Sequence, residues 1–214
     1  MIPITKDKVI KLKVNLIGTT MVGKTTILNV MRRGVFNPDT IATVGASFVT
    51  LIKDDINYQV WDTAGQERYL SLIPMYFRDV KITIFVFDVN EIRSIKYINR
   101  YKDILIDDPD IRIIILGNKT DLLEEKEEEK NHLLEELTKE VYNNFEILML
   151  TDKIHGLYFI SAKDGNNFNK FLEHFHECGK NSIFNNPKNN NIVDNICIRN
   201  PDVTIETKED RKCC

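Results

Sequence analysis

Residues 18–25 read Gly-Thr-Thr-Met-Val-Gly-Lys-Thr and lie between an apolar run and a helical pattern. The octapeptide fits G-x-x-x-x-G-K-[ST], the pattern of a loop that cradles phosphate groups between a strand and a helix. A helix N-terminus offers free backbone N–H groups and a partial positive charge to an anion. The motif therefore predicts a strand–loop–helix unit within an α/β fold, because an accidental glycine-rich turn would rarely match all four fixed positions.

Two residues of this loop predict specific phosphate chemistry. Lys24 should reach the β- and γ-phosphates, and the Thr25 hydroxyl should contact Mg²⁺. The glycines allow the backbone to curl close to the phosphates. The residues expected to line the phosphates are Gly18, Thr20, Met21, Val22, Gly23, Lys24, Thr25 and Thr26.

Strand and helix patterns alternate along the rest of the chain. Strands are predicted at 11–17, 46–52, 56–61, 82–87, 111–116 and 157–160, and helices at 25–33, 68–78, 90–106, 122–144 and from 168. The second and third strands read as a hairpin, which gives a six-stranded, mostly parallel sheet with one antiparallel strand and about five flanking helices. Polar motifs follow the strands directly, so they should converge beyond the carboxyl ends of the strands.

Composition narrows the class of protein further. The net charge of −3 over 214 residues predicts no general attraction to nucleic acid or to an acidic membrane. No run of 18 apolar residues is present, and the first residues lack a signal-peptide core. The four cysteines lie late in the chain, which favours a reducing cytoplasmic setting. We expect one domain at 9–180 and a flexible tail at 181–214, where helical periodicity fades.

A second motif predicts a magnesium and γ-phosphate site. Asp62 ends a strand where a carboxylate can orient the Mg²⁺ shell, through water. Gly65 allows its N–H to approach a γ-phosphate, and Gln66 can hold a water in line with that phosphate. Thr43 is expected to offer a second hydroxyl to Mg²⁺.

A third group of residues predicts guanine rather than adenine. The Asp121 carboxylate can accept two N–H bonds from a guanine edge, whereas adenine presents the opposite donor and acceptor pattern. Asn118 and Lys119 belong to the same turn. Ser161, Ala162 and Lys163 can add a backbone N–H toward the guanine O6 and an alkyl stem against the base. We therefore expect GTP or GDP as the ligand, and an ATP-dependent kinase is disfavoured.

Together these motifs resemble the small GTPases of the Ras superfamily. The segment 61–69, Trp-Asp-Thr-Ala-Gly-Gln-Glu-Arg-Tyr, and the terminal Cys213-Cys214 are similar to the Rab branch. The resemblance implies a P-loop small G domain that switches between GTP and GDP and recruits effectors in vesicle trafficking. It implies that Phe36 stacks on guanine and that Thr43 is the threonine of the first switch. It also implies that Phe48, Trp61 and Tyr76 contact effectors, although ordinary packing would account for these aromatic residues equally well.

The resemblance extends to partners and to location. It implies an exchange factor, a GTPase-activating protein that supplies an arginine, prenylation escort and GDP-dissociation-inhibitor proteins, and no nucleic acid. Cys213 and Cys214 would be geranylgeranylated, since stable anchoring needs two lipid signals. The expected protein is a monomer that cycles from the cytoplasm onto an endomembrane. Residues 43–48 and 74–76 resemble the endosomal Rabs, and residues 71–74 with 78–79 resemble the Golgi subgroup.

Three features depart from the family pattern. Thr20 stands where a small residue is common, and its branched side chain is expected to slow hydrolysis. The interval from Asp121 to Ser161 is longer than usual and contains an acidic run at 124–129, which reads either as a solvated helix extension or as a private partner surface. His174, His176 and Cys178 lack a second ligand cluster, which disfavours zinc. A GTP-bound scaffold that does not hydrolyse the nucleotide remains the alternative function.

Overall fold

Six strands form one sheet in the order β2-β3-β1-β4-β5-β6 in the computed structural model, which describes residues 9–39, 43, 45–63, 73–123 and 126–184. The strands are β1 Ile10–Ile17, β2 Ala46–Lys53, β3 Ile56–Thr63, β4 Val80–Asp88, β5 Arg112–Asn118 and β6 Ile154–Phe159. β2 runs antiparallel to β3, and every other pairing is parallel. This confirms the sheet that the sequence predicts.

Five α-helices accompany the sheet within the described residues: α1 Lys24–Arg33, α2 Ile73–Phe77, α3 Lys102–Asp107, α4 Glu127–Leu150 and α5 Phe168–Phe184. One face of the sheet packs against α1 and α5 through residues such as Ile27 and Phe171. The other face packs against α3 and α4, where the rings of Phe85 and Phe145 lie 5.2 Å apart. Among these residues, no helix combines the length and apolar character needed to cross a membrane.

The helix predicted at 90–106 takes a different form. The structure has a 3₁₀ helix at Ile92–Arg100, followed by the short α3. The apolar residues Ile92, Ile95, Ile98 and Tyr101 recur every three positions. A 3₁₀ helix has three residues per turn, so this spacing places the four side chains on one face. A period of 3.0 rather than 3.6 is therefore the correct interpretation of this segment.

The helix predicted at 122–144 begins and ends later than expected, because α4 spans Glu127–Leu150. Its buried stripe, which includes Val141, continues beyond residue 144 with Phe145 and Leu148. The additional length of the Asp121–Ser161 interval therefore includes core residues. Glu127, Glu128 and Glu129 are exposed in the first turn of α4, where negative charge favours the helix dipole.

Two polar side chains are buried side by side on the face that packs against α3 and α4. Asn15 of β1 pairs in register with Thr83 of β4, and both are fully buried. Neither the Asn15 amide nor the Thr83 hydroxyl has a hydrogen-bond partner among the described residues. Burying an unpaired hydroxyl costs free energy, so this position lowers the stability of the sheet.

We expect Thr83→Val to raise the free energy of unfolding by about 1 kcal/mol, because valine removes an unpaired hydroxyl at nearly constant shape. Thr138→Val is the matched control, since the buried Thr138 hydroxyl donates to the Leu134 carbonyl at 2.7 Å. The control should be neutral or destabilising. Urea unfolding of both variants measures the difference, and a loss of stability in Thr83→Val would show that the hydroxyl is paired.

Candidate functional site

The loop between β1 and α1 approaches two neighbouring strands too closely for larger side chains. Gly18 has a φ of 146° and Gly23 a φ of 97°, which are backbone conformations that favour glycine. A Cβ on Gly18 would collide with the Val86 carbonyl oxygen, and one on Gly23 with the Asn118 amide. The glycines thus allow the loop to lie directly against the carboxyl ends of β4 and β5.

Lys24 points back into this loop. Its ammonium group donates to the carbonyls of Gly18 at 2.9 Å and Thr19 at 2.7 Å. The side chain is buried, and this burial lowers the pKa of Lys24 to about 8, although the nearby Asp62 carboxylate acts in the opposite direction. A buried cation held by two carbonyls at the start of α1 is suited to bind a phosphate anion.

We expect phosphate binding to take up protons above neutral pH. Bound phosphates would hold Lys24 charged, whereas the empty site has a pKa of about 8. The empty protein has Lys24 half protonated near pH 8 and almost fully protonated near pH 6.5. Binding should therefore take up about half a proton per nucleotide near pH 8 and almost none near pH 6.5. Calorimetric titration in two buffers of different ionisation enthalpy measures this uptake. Lys96→Met, which changes an exposed lysine, should leave the uptake unchanged, and a pH-independent value would contradict the expectation.

Thr25, Thr43 and Asp62 meet at the carboxyl end of β3. The Asp62 Oδ2 accepts hydrogen bonds from the hydroxyls of Thr25 at 2.6 Å and Thr43 at 3.0 Å, and the two hydroxyls lie 2.7 Å apart. Asp62 is fully buried, and desolvation raises the pKa of its carboxyl group. Its Oδ1 has no partner among the described residues.

This all-oxygen group fits Mg²⁺. Two hydroxyls and one buried carboxylate with a free oxygen are the hard ligands that this cation prefers. A divalent cation would supply the positive charge that the desolvated carboxylate lacks. The three residues come from α1, from residue 43 and from β3, so only the fold brings them together.

Asn118 connects the phosphate loop to the last loop of the site. Its amide nitrogen donates to the Val22 carbonyl at 2.9 Å, and its amide oxygen accepts from the Ala162 backbone N–H at 3.1 Å. Asn118 is buried at the end of β5. One side chain therefore fixes three sequence-predicted segments at the same edge of the sheet.

Asp121 lies beside this junction with its carboxylate largely buried. Its Oδ1 accepts from the Ser161 hydroxyl at 2.8 Å, and its Oδ2 lies 3.4 Å from the Lys163 ammonium. The Ser161 hydroxyl also accepts the backbone N–H groups of Lys163 and Asp164. These bonds hold the carboxylate in one orientation, as is needed to select between two hydrogen-bonding patterns on a base.

Sequence reasoning missed Asp88 as a member of this site. The Lys119 ammonium lies 2.6 Å from the Asp88 carboxylate, and Asn90 donates to the Lys119 carbonyl at 3.3 Å. Lys119 has a φ of 72°, so its backbone is held in a left-handed conformation. Asp88 ends β4 in register with Asn118, and this strand-terminal position is the signal that could have identified it.

The aromatic residues implied by the family resemblance form a continuous row. The ring centroids of Phe48 and Trp61 lie 5.2 Å apart, and those of Trp61 and Tyr76 lie 6.5 Å apart. Phe48 is exposed and Trp61 half-buried, but Tyr76 is buried. Packing alone accounts for the position of Tyr76, whereas Phe48 offers a free aromatic face.

The structure describes some of the remaining predicted site residues, and the others lie outside the described ranges. Thr20 and Met21 are exposed at the tip of the phosphate loop, Thr26 is half-buried in α1, and Phe36 is half-buried after α1. Gly65, Gln66, Cys213 and Cys214 lie outside the described residues. Cys178 lies 3.4 Å from the His174 ring, and the described residues contain no cluster of three or more His, Cys, Asp or Glu suited to a metal.

Comparison with known proteins places this geometry in context. The Ras family model matches residues 13–180. The chain is 36% identical over 129 residues to "Ypt/Rab-type GTPase Rab7" of Gibberella zeae, an alignment that covers 56% of this chain and 63% of that protein. It is 38% identical over 125 residues to "Ypt/Rab-type GTPase ypt7" of Schizosaccharomyces pombe, covering 54% and 61%.

A third relative is "GTP-binding protein YPT52" of Saccharomyces cerevisiae, which is 34% identical over 131 residues, with 54% of this chain and 56% of that protein covered. The chain thus spans less than two thirds of the length of these curated relatives.

Proposed function

The chain belongs to the Ras family, and from this premise we propose that it is a guanine-nucleotide switch that binds GTP with Mg²⁺ and hydrolyses it slowly. The observation that carries the proposal is the junction at Asn118, whose amide bonds both Val22 of the phosphate loop and Ala162 of the base loop. These two bonds join the loop proposed to hold the phosphates to the loop proposed to hold the base.

Each part of the proposed ligand has a matching group in the site. Lys24 and the N-terminus of α1 would hold the phosphates, and Thr25, Thr43 and Asp62 would hold Mg²⁺, which neutralises phosphate charge. The fixed carboxylate of Asp121 would accept the two N–H groups of guanine. Lys119 would cover the base while Asp88 positions its ammonium group. Phe36 would stack on the base from the other side.

Hydrolysis in this proposal depends on Gln66, which would orient the attacking water, and on Gly65, whose N–H would contact the γ-phosphate. We expect the intrinsic rate to be slow, because the arginine that stabilises the transition state is supplied by an activating protein in related systems. Loss of the γ-phosphate would release the segments around Thr43 and Gly65, which is how such switches change their surface.

Thr20→Ser is expected to increase the single-turnover rate of GTP hydrolysis several-fold, because the threonine methyl group would crowd the space in which Gln66 is proposed to act. The rate constant of phosphate release from preloaded protein measures this. Thr50→Ser, the same chemical change at an exposed position of β2, is the control and should leave the rate unchanged. Equal rates for wild type and Thr20→Ser would contradict the crowding argument. Complete absence of hydrolysis in both, with GTP still bound, would favour the scaffold function instead.

The proposed cellular role is in vesicle trafficking on an endomembrane, with an endosomal compartment favoured over the Golgi. Its support is the set of Rab and Ypt relatives together with the exposed Phe48 beside Trp61, where effectors would bind. Exchange factors, activating proteins, escort proteins and GDP-dissociation inhibitors would be its partners. We propose a domain at 9–180 and a tail at 181–214 that carries prenyl groups on Cys213 and Cys214. A tagged protein that keeps its membrane location without these cysteines would contradict the anchor.

A further inference from the structure

A polar cavity lies at the end of the sheet opposite the proposed nucleotide site. It has a volume of about 480 Å³ and lies at the start of β4, β5 and β6, where Lys81, Arg112 and His155 line it. Arg112 begins β5 and Asn118 ends it. At about 3.3 Å per residue, roughly 20 Å of strand separates this cavity from the nucleotide site.

Arg112 lacks a carboxylate partner within the part of the chain that the structure describes. Its Nη1 lies 3.5 Å from both ring nitrogens of His155, and its Nη2 lies 3.5 Å from the Asn181 carbonyl. These contacts are long and weak for a guanidinium group. By contrast, Lys81 on the rim is paired with Asp110 at 3.0 Å. A charge that is shielded from water is normally paired, so the guanidinium group of Arg112 is able to bind an anion.

The other charged groups of the cavity limit the charge of the ligand. Lys153 is buried and donates to the carbonyls of Leu105, Ile106 and Asp108, so its ammonium group is already satisfied. Asp110 and Asp152 also line the cavity, so its three cations face two carboxylates. Burial lowers the pKa of His155 to about 4, and the positive charge of Arg112 makes the second-largest contribution to this decrease. The imidazole of His155 is therefore neutral at pH 7. One unmatched positive charge suits a carboxylate better than a phosphate dianion.

We propose that this cavity binds a carboxylate of an acidic partner peptide through a two-pronged contact with Arg112. The planar fork of an arginine matches a carboxylate, and the neutral His155 ring can donate a further hydrogen bond. The volume exceeds that of a lone carboxylate and accommodates an aspartate or glutamate side chain with part of its backbone. The last turn of α5 reaches the same cavity through Ser182, which adds a hydroxyl to the lining.

Nuclear magnetic resonance of His155 tests the proposal in the whole chain. The probe is acetyl-Asp-Glu-amide, and the neutral control is acetyl-Asn-Gln-amide. We expect the acidic peptide to bind with a Kd of about 1 mM, as suits one charged contact in a small ligand. We also expect it to raise the pKa of His155 by roughly 1 unit, because a negative charge offsets Arg112. The neutral peptide should change neither quantity.

Variants separate the named contact from general attraction to positive charge. Arg112→Gln should abolish the response to the acidic peptide, and Arg112→Lys should weaken it about tenfold because the fork is lost. Arg33→Gln, which removes an exposed arginine at the end of α1, should leave it unchanged. Equal responses to the acidic and neutral peptides in the wild-type protein would overturn the proposal without any variant. A response to inorganic phosphate alone would overturn the choice of a carboxylate.

Discussion

Asp121→Asn is expected to lower the affinity for GTP by on the order of 10⁴-fold. The asparagine amide would place an N–H donor against the edge of guanine, which itself presents N–H donors. In the structure the Asp121 carboxylate is held by Ser161 and faces Lys163. An asparagine in that orientation would place its NH₂ group against the exocyclic amine of guanine. The change should therefore remove discrimination for guanine while leaving the phosphate and magnesium residues intact.

The same variant should prefer xanthosine triphosphate to GTP. Xanthine carries a carbonyl where guanine carries an amine, so the asparagine NH₂ would donate to it while the amide oxygen accepts the neighbouring ring N–H. Displacement of a fluorescent guanine nucleotide and calorimetry measure both affinities. Asp103→Asn makes the same chemical change at an exposed position of α3 and should alter neither affinity. An Asp121→Asn variant that keeps its GTP affinity within threefold would contradict the assignment of the base site.

Lys24→Met is expected to weaken GTP binding by roughly 10²- to 10³-fold, since removing one partner of a buried charge pair typically costs 2–5 kcal/mol. The stability of the empty protein should change far less. Methionine keeps the apolar length of the side chain. It carries no charge, so the cost of desolvating a buried ammonium group, which lowers the pKa of Lys24, is removed. The loop carbonyls of Gly18 and Thr19 would lose their donor, which limits any gain in stability.

Thermal unfolding with and without GTP separates these two effects. A saturating ligand at 1,000 times its Kd stabilises a protein by about 4 kcal/mol, so the wild-type melting temperature should rise clearly. Lys24→Met at the same GTP concentration should show only a small rise. Lys96→Met, at an exposed lysine of the 3₁₀ helix, should behave as wild type. If Lys24→Met were stabilised by GTP as strongly as the wild type, Lys24 would have no phosphate role.

Residue patterns predicted the architecture because each pattern has a direct physical cause. Apolar runs at 82–87 and 111–116 are buried on both faces of a parallel sheet, and the structure places β4 and β5 there. The Rab-like motifs were similarly informative, and the Rab and Ypt relatives confirm that resemblance. Gln66 and Cys213-Cys214 stay predictions, since they lie outside the described residues.

The sequence-based predictions were wrong where the period of a helix or the end of a helix depended on packing. The spacing of Ile92, Ile95 and Ile98 suits a 3₁₀ helix, but the same residues are compatible with an α-helix until the neighbouring core is known. The charged, helical pattern of the sequence predicts a helix over 122–144. Phe145 and Leu148 extend the helix because Phe85 and the rest of the core lie beneath them.

The chain by itself determined the order of strands and helices, the phosphate-loop motif and the residues predicted to select guanine. These follow from local periodicity and from chemical groups at fixed spacing. Only the tertiary structure decided which distant groups touch. It paired Lys119 with Asp88, joined His176 to Asp54 at 2.8 Å across 122 positions, and left Arg112 without a carboxylate among the described residues. Such contacts depend on strand register and helix docking, which no local pattern encodes.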